Sequence, residues 1–183
     1  MWWALGGGVL LLGIVLIATY NRLVGRRNKV QEAWSGIDVQ LQRRADLVPM
    51  LVDTVRGYQV HERDLLLEVT EARAAVVAAQ GPRASGQADD ALEASLGRLF
   101  AVAESYPDLK ASENFLALQR ELSELEEQIS FARRYFNALV QELNTDIQRF
   151  PTVLVAGPLG FRPAEYFKAG PDAADAPTLG LGS

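Results

Sequence analysis

LQRELSELEEQISFARRYFNALVQELNTDIQRF, Leu118 to Phe150, is the stretch on which the fold turns. Along it Leu118, Leu122, Leu125, Ile129, Ala132, Phe136, Leu139, Leu143, Ile147 and Phe150 form an apolar stripe. They recur at gaps of three and four, the spacing of one face of an α-helix. Neither glycine nor proline interrupts the run before Pro151, and Ser112 is placed to cap its start. At 1.5 Å per residue the helix predicted from Ser112 to Phe150 is roughly 55 Å long. A helix with one apolar face of that length has to bury the face on other helices.

Partners with the same rhythm lie earlier in the chain. Over residues 21–59, Val30, Trp34, Ile37, Leu41, Val48, Leu51 and Val55 form a heptad seam that misses one beat, at Arg44. A second helix is predicted from about His61 to Gln80, with Leu65, Val69, Ala72, Val76 and Ala79 as its seam. GPRASGQADD (81–90) reads as a loop because of its Gly-Pro and Ser-Gly pairs. A third helix is expected to start near Asp89 or Asp90, whose carboxylates suit a helix N-terminus. It carries Leu92, Leu96, Leu99 and Ala103 and ends at Tyr106-Pro107-Asp108. The predicted fold class is all-α: an antiparallel four-helix bundle with long first and last helices. A dimeric coiled coil is the alternative; the short connections favour the bundle.

Ahead of the first seam runs WWALGGGVLLLGIVLIATY, Trp2 to Tyr20. It is uncharged and about long enough to cross ~30 Å of hydrocarbon. Trp2, Trp3 and Tyr20 stand at its ends, where aromatic rings favour the headgroup zone. A cleaved signal peptide is the alternative, but that calls for basic residues before a shorter apolar run. Here Arg22, Arg26, Arg27 and Lys29 follow the run. The positive-inside rule then predicts an outside N-terminus and a cytoplasmic helical body. Gly6, Gly7 and Gly8 offer either a close-contact face for another helix or plain lipid-facing surface. Apart from Gly25, no loop signal separates the span from the bundle, so a continuous helix is expected.

Up-down-up-down order returns the last helix toward the bilayer. TVLVAGPLGFRPAEYF (152–167) therefore lies near the membrane surface, as a strap on the bundle end or as a lipid contact through Leu159, Phe161, Tyr166 and Phe167. The expected organisation is an anchor at 2–20, the bundle at 21–150, an apolar strap at 151–168 and a disordered tail at 169–183, where Ala, Gly, Pro and Asp follow no period.

Reactive chemistry is sparse. The 183 residues contain no cysteine, which excludes thiolate catalysis and Cys-based metal sites. The one histidine, His61, precedes Glu62, but the fifth position of an H-E-x-x-H motif is Leu65. A di-metal carboxylate bundle needs Glu-x-x-His from each of two helices, which one histidine does not supply. Glu121, Glu124, Glu126, Glu127 and Glu142 read as a solvated face. No phosphate loop is present, no cofactor is expected, and the net charge of −5 does not favour nucleic acid.

The missing beat is the exception. A guanidinium at a seam position is costly unless it is paired and hydrogen-bonded. Arg44 is expected to meet a carboxylate, with Glu121 and Glu124 from the last helix and Asp38 from its own helix as candidates. Snorkelling to solvent is the alternative. Such a pair would chiefly fix helix register. Arg43 is expected at the surface, and Pro49 is expected to kink the helix near Arg44-Ala45 and to free one carbonyl for water or a side chain.

Several further groupings occur in order: Tyr20-Asn21-Arg22-Leu23-Val24, Ile37-Asp38-Val39-Gln40-Leu41 with Arg43-Arg44, Asp46-Leu47-Val48-Pro49, Gly57-Tyr58, His61-Glu62, Tyr106-Pro107-Asp108-Leu109-Lys110, Asn114-Phe115, Leu118-Gln119, Glu121-Leu122, Phe150-Pro151 and Gly160-Phe161. In these the chain resembles the LemA family of membrane-anchored bacterial proteins, over nearly its whole length up to Phe167. The resemblance implies a helical bundle behind a short anchor and no catalytic residues. It also implies a setting in membrane proteostasis alongside membrane-embedded zinc metalloproteases, or in shaping magnetosome membranes. The Ala-rich second and third helices and the tail depart from the family pattern.

The expectation that follows is a non-enzymatic, single-pass protein of the bacterial inner membrane. It would act as a scaffold or adaptor, by self-assembly into a homo-oligomer or by docking a membrane-embedded zinc metalloprotease in membrane-protein quality control. The alternative is a membrane-shaping or lipid-contacting protein.

Overall fold

A computed structural model describes residues 2–58 and 62–167. Expectations that fall on His61, on the Trp2 side chain and on the tail from 169 lie outside what is described. Among the described residues six helices follow in order: α1 (Trp2–Gly57), α2 (Arg63–Ala78), α3 (Pro82–Ala103), α4 (Pro107–Lys110), α5 (Glu113–Gln148) and α6 (Val153–Ala156). No strand occurs among the described residues, and the fold is all-α. The apolar run and the first seam are one uninterrupted helix, α1.

The chain forms two compact units. One gathers residues 36–133 with Phe167; the other gathers residues 2–35 with 134–166.

In the first, four helical segments alternate in direction: the C-terminal part of α1, then α2, α3 and the N-terminal part of α5. The seams face inward. Ile37, Leu41, Val48, Leu51 and Val55 of α1 are buried, as are Val69 and Val76 of α2, Leu92, Leu96, Leu99 and Ala103 of α3, and Leu122, Leu125 and Ile129 of α5. Each buried Val, Leu or Ile among them stabilises the fold by about 1.5–3 kcal/mol relative to exposure. On α2 the first beat shifts, with Leu66 buried rather than Leu65. Phe100 and Phe115 meet edge to face at 6.0 Å where α3 gives way to α5.

Residues 82–90 are helix, not loop, and α3 begins at Pro82 rather than near Asp89. Proline is well suited to the first turn, where its missing N–H costs nothing. Gly81 precedes it at φ 82°, a conformation that a side chain would resist. Ser85, Gly86 and Asp89 are buried, so tertiary packing outweighs the weak helix propensity of this stretch.

In the second unit the N-terminal part of α1 runs antiparallel to the end of α5. Arg26 pairs with Glu142 and lies 3.4 Å from Asp146, and Arg22 lies 3.8 Å from Asp146. Trp34 and Phe136 approach at 5.9 Å. Beyond α5 a cis Phe150–Pro151 peptide precedes α6. Phe150 was expected on the buried stripe but is 76% exposed. The helix has ended at Gln148, so the helical phase that would turn Phe150 inward is lost.

The segment after α5 is strapped down at three points. Arg22 Nη2 donates to Thr152 Oγ1 (3.1 Å). The Asn144 amide donates to the Ala164 carbonyl (3.0 Å) and accepts from the Ala164 N–H (2.7 Å). Gly160, at φ 80°, ends the α6 turn with the Phe161 N–H bonded to the Ala156 carbonyl. This left-handed cap is of the Schellman type. It swings Phe161 onto Tyr20 (5.7 Å, edge to face) and beneath the Arg27 guanidinium (5.3 Å).

Candidate functional site

The polar feature of the helical core is a charge cluster in the 36–133 unit. Arg44 projects from α1 at the missing beat and is 2% exposed. Its Nη1 donates to Asp89 Oδ1 at 2.8 Å, and its Nη2 donates to Glu126. Asp89, on α3, is 0% exposed. Its second oxygen accepts from Arg133 Nη2 of α5. Arg133 Nη1 also lies 3.4 Å from Asp90, and its guanidinium covers the Phe167 ring at 4.8 Å. Each oxygen of the buried carboxylate thus faces its own arginine, and Arg44 is held between two carboxylates on two helices. The Nε groups of Arg44 and Arg133 are buried without a hydrogen-bond partner among the protein groups.

The partners differ from those expected. Asp89 and Glu126 meet Arg44; Glu121 instead accepts from Arg43 (2.9 Å) at the surface, and Asp38 and Glu124 are exposed. Geometry explains the change. Glu121 and Glu124 flank the α5 stripe on its solvent side. Glu126 stands four residues after Leu122 and three before Ile129, on a second seam that continues through Arg133, Phe136, Val140, Leu143 and Ile147. On α3 the seam reaches back from Leu92 through Asp89 to Ser85. Arg44, Asp89, Glu126 and Arg133 therefore each sit on a seam beat, and extending the seams would have found the last three. Reading 81–90 as loop hid Asp89, and reading the glutamates as one solvated face hid Glu126.

Pro49 lies inside α1, and the helix runs through it without a break. The proline removes the N–H that would bond the Ala45 carbonyl. Arg73 of α2 takes its place: Nε donates to Ala45 O at 2.9 Å. One helix thus caps the gap in another, directly beside Arg44.

The remaining candidate contacts divide. Gly6, Gly7 and Gly8 are exposed, with open space where a Cβ would stand. Leu159 and Tyr166 are exposed. Phe161 and Phe167 are buried: the Gly160 turn directs one onto Tyr20, and Arg133 covers the other.

Chemically the cluster is a set of ion pairs. Its buried carboxylate is clamped by two cations, one on each oxygen. Next to it a cleft of about 350 Å³ opens between α3 and α5, lined by Arg44, Leu96, Phe100, Leu122 and Glu126 among others.

Residues 33–180 match the model of the LemA family. Among named proteins the chain is similar to Magnetosome protein MamQ 2 of Paramagnetospirillum magneticum, at 27% identity over 90% of this chain and 70% of the relative. It is similar to Protein LemA of Metamycoplasma hominis at 29% identity, over 88% of this chain and 75% of that one. Magnetosome protein MamQ of Magnetospirillum gryphiswaldense matches at 26% identity with 90% and 70% covered.

Proposed function

Since this chain belongs to the LemA family, we propose that it is a non-enzymatic, single-pass membrane protein whose helical body serves as a scaffold or adaptor at the bilayer. The observation that carries this reading is the change of surroundings along α1. One helix starts as an apolar run whose Leu10, Leu11, Ile14 and Ile17 are uncovered by protein. It continues as a seam whose Val30, Ile37, Leu41, Val48, Leu51 and Val55 are buried. Uncovered aliphatic side chains over a span of hydrocarbon length call for lipid. The covered half spends its buried charges on helix–helix pairs rather than on a reactive group.

The Lys and Arg residues that follow the span favour a cytoplasmic body with the N-terminus outside. The occupants that this reading names for the scaffold are a second copy of the chain and a membrane-embedded zinc metalloprotease. Cross-linking in intact bacterial membranes, followed by mass spectrometry, tests it. Cross-links from the helical body to a second copy or to such a protease are expected. A chain that links only to itself, intramolecularly, at every reagent length would overturn it.

A further inference from the structure

Phe150, Val153 and Leu154 are neighbours in the chain, apolar, and 76%, 49% and 65% exposed. Their exposure follows from how α6 is held. Thr152 and Ala156 are buried on its inner side. At 100° per residue, Leu154 stands on the opposite side and Val153 beside it. Three uncovered hydrophobes so close together mark an interaction surface rather than ordinary surface scatter.

The contacts of this segment fix its depth. Thr152 is bonded to Arg22, two residues and ~3 Å of helix rise past the end of the apolar run at Tyr20. Phe161 lies against Tyr20 itself. The headgroup layer adds roughly 5–8 Å on each side of the hydrocarbon core. A residue at this depth that faces away from protein therefore faces headgroups. Arg22, bonded to Thr152, and Arg149, next to Phe150 in the chain, are both exposed, and cations at this depth favour anionic headgroups.

We propose that Phe150, Val153 and Leu154 form a lip that inserts into the headgroup zone of the bilayer that α1 spans, with anionic lipid as its preferred contact. The lip rests on the anchored reading given above. It gives the chain a second attachment to the same leaflet, which a single span lacks. Shallow insertion of this kind adds area to one leaflet only, so the surface is suited to sense or impose curvature.

The chain has no cysteine, so single labels are unambiguous. The full chain carrying Leu154→Cys, labelled with a nitroxide, is reconstituted in vesicles of phosphatidylcholine and phosphatidylglycerol. Collision with oxygen, which concentrates in lipid, is compared with collision with a water-soluble nickel chelate. Leu11→Cys serves as the label within the span and Val39→Cys as an exposed label beyond it. The expected result is a Leu154 label shifted several-fold from nickel toward oxygen relative to Val39, less far than Leu11, and more in anionic than in neutral vesicles. Leu11 in lipid with Leu154 as aqueous as Val39 overturns the lip and leaves the anchor standing. A Leu154 label shielded from both reagents reports a protein neighbour and also overturns it. A Leu11 label in water removes the anchor and the lip together.

Discussion

Asp89 is the residue whose loss the fold should feel most. It is fully buried and holds two arginines from two other helices. Removing one partner of a buried ion pair costs about 3–5 kcal/mol, because the other charge is left uncompensated. Asp89→Ala is therefore expected to lower unfolding stability by that amount in urea titrations followed by circular dichroism. Replacing the whole buried set tells a different story. The pairs must first offset the desolvation of their charges, and two Nε donors remain unpartnered. Arg44→Met with Asp89→Leu and Arg133→Met is expected to restore wild-type stability or exceed it. If the triple variant were as weak as Asp89→Ala, the cluster would be a net source of stability. What the cluster supplies on the present reading is register. Arg44 fits beside Asp89 and Glu126 in one alignment of α1, α3 and α5, whereas leucines tolerate slippage.

At the scale of the element, α1 shows what was legible and what was not. Its seam was readable from Val30 to Val55 because burial on one face imposes a period of 3.5 to 3.6 residues on the sequence itself. That Arg44 broke the period was also readable. Which carboxylate answered it was not, because the partner depends on the rotation of neighbouring helices, and 81–90 carries local loop signals that packing overrides. The lip was hidden for a related reason: Phe150 falls on the stripe by count, and only the end of α5 at Gln148 takes it out. Pro49 gives the sharpest test at this scale. Arg73 serves the Ala45 carbonyl that the proline leaves without its helical donor. Arg73→Ala alone is expected to cost about 1.5–3 kcal/mol, the range for a hydrogen bond from a charged group. In a Pro49→Ala background the backbone N–H returns, and the same change should cost less. A coupling of about 0.5 kcal/mol or more in the double-mutant cycle is expected. Strict additivity would mean that the guanidinium acts only through packing.

For the molecule as a whole, the decisive variable is which solvent each exposed apolar residue meets. Ile14 and Val39 lie on the same helix with similar exposure, 59% and 64%. Exposure alone treats them alike. Ile14, however, sits within an uncharged run of hydrocarbon length, and Val39 sits on the outer face of a seam whose inner face is packed by three helices. A lysine near the centre of a span costs about 3 kcal/mol in insertion. A lysine on a solvated helix surface changes stability by less than about 0.5 kcal/mol. Ile14→Lys is therefore expected to move a substantial share of the protein from the carbonate-resistant membrane pellet to the supernatant, with the helical body still folded by circular dichroism. Val39→Lys should leave both partition and folding unchanged. Equal partition of the two variants would mean that the first turns of α1 are covered by protein rather than lipid. The continuity of α1 would then describe a partner's docking helix, and the scaffold would have to be held at its site by that partner instead of by the membrane.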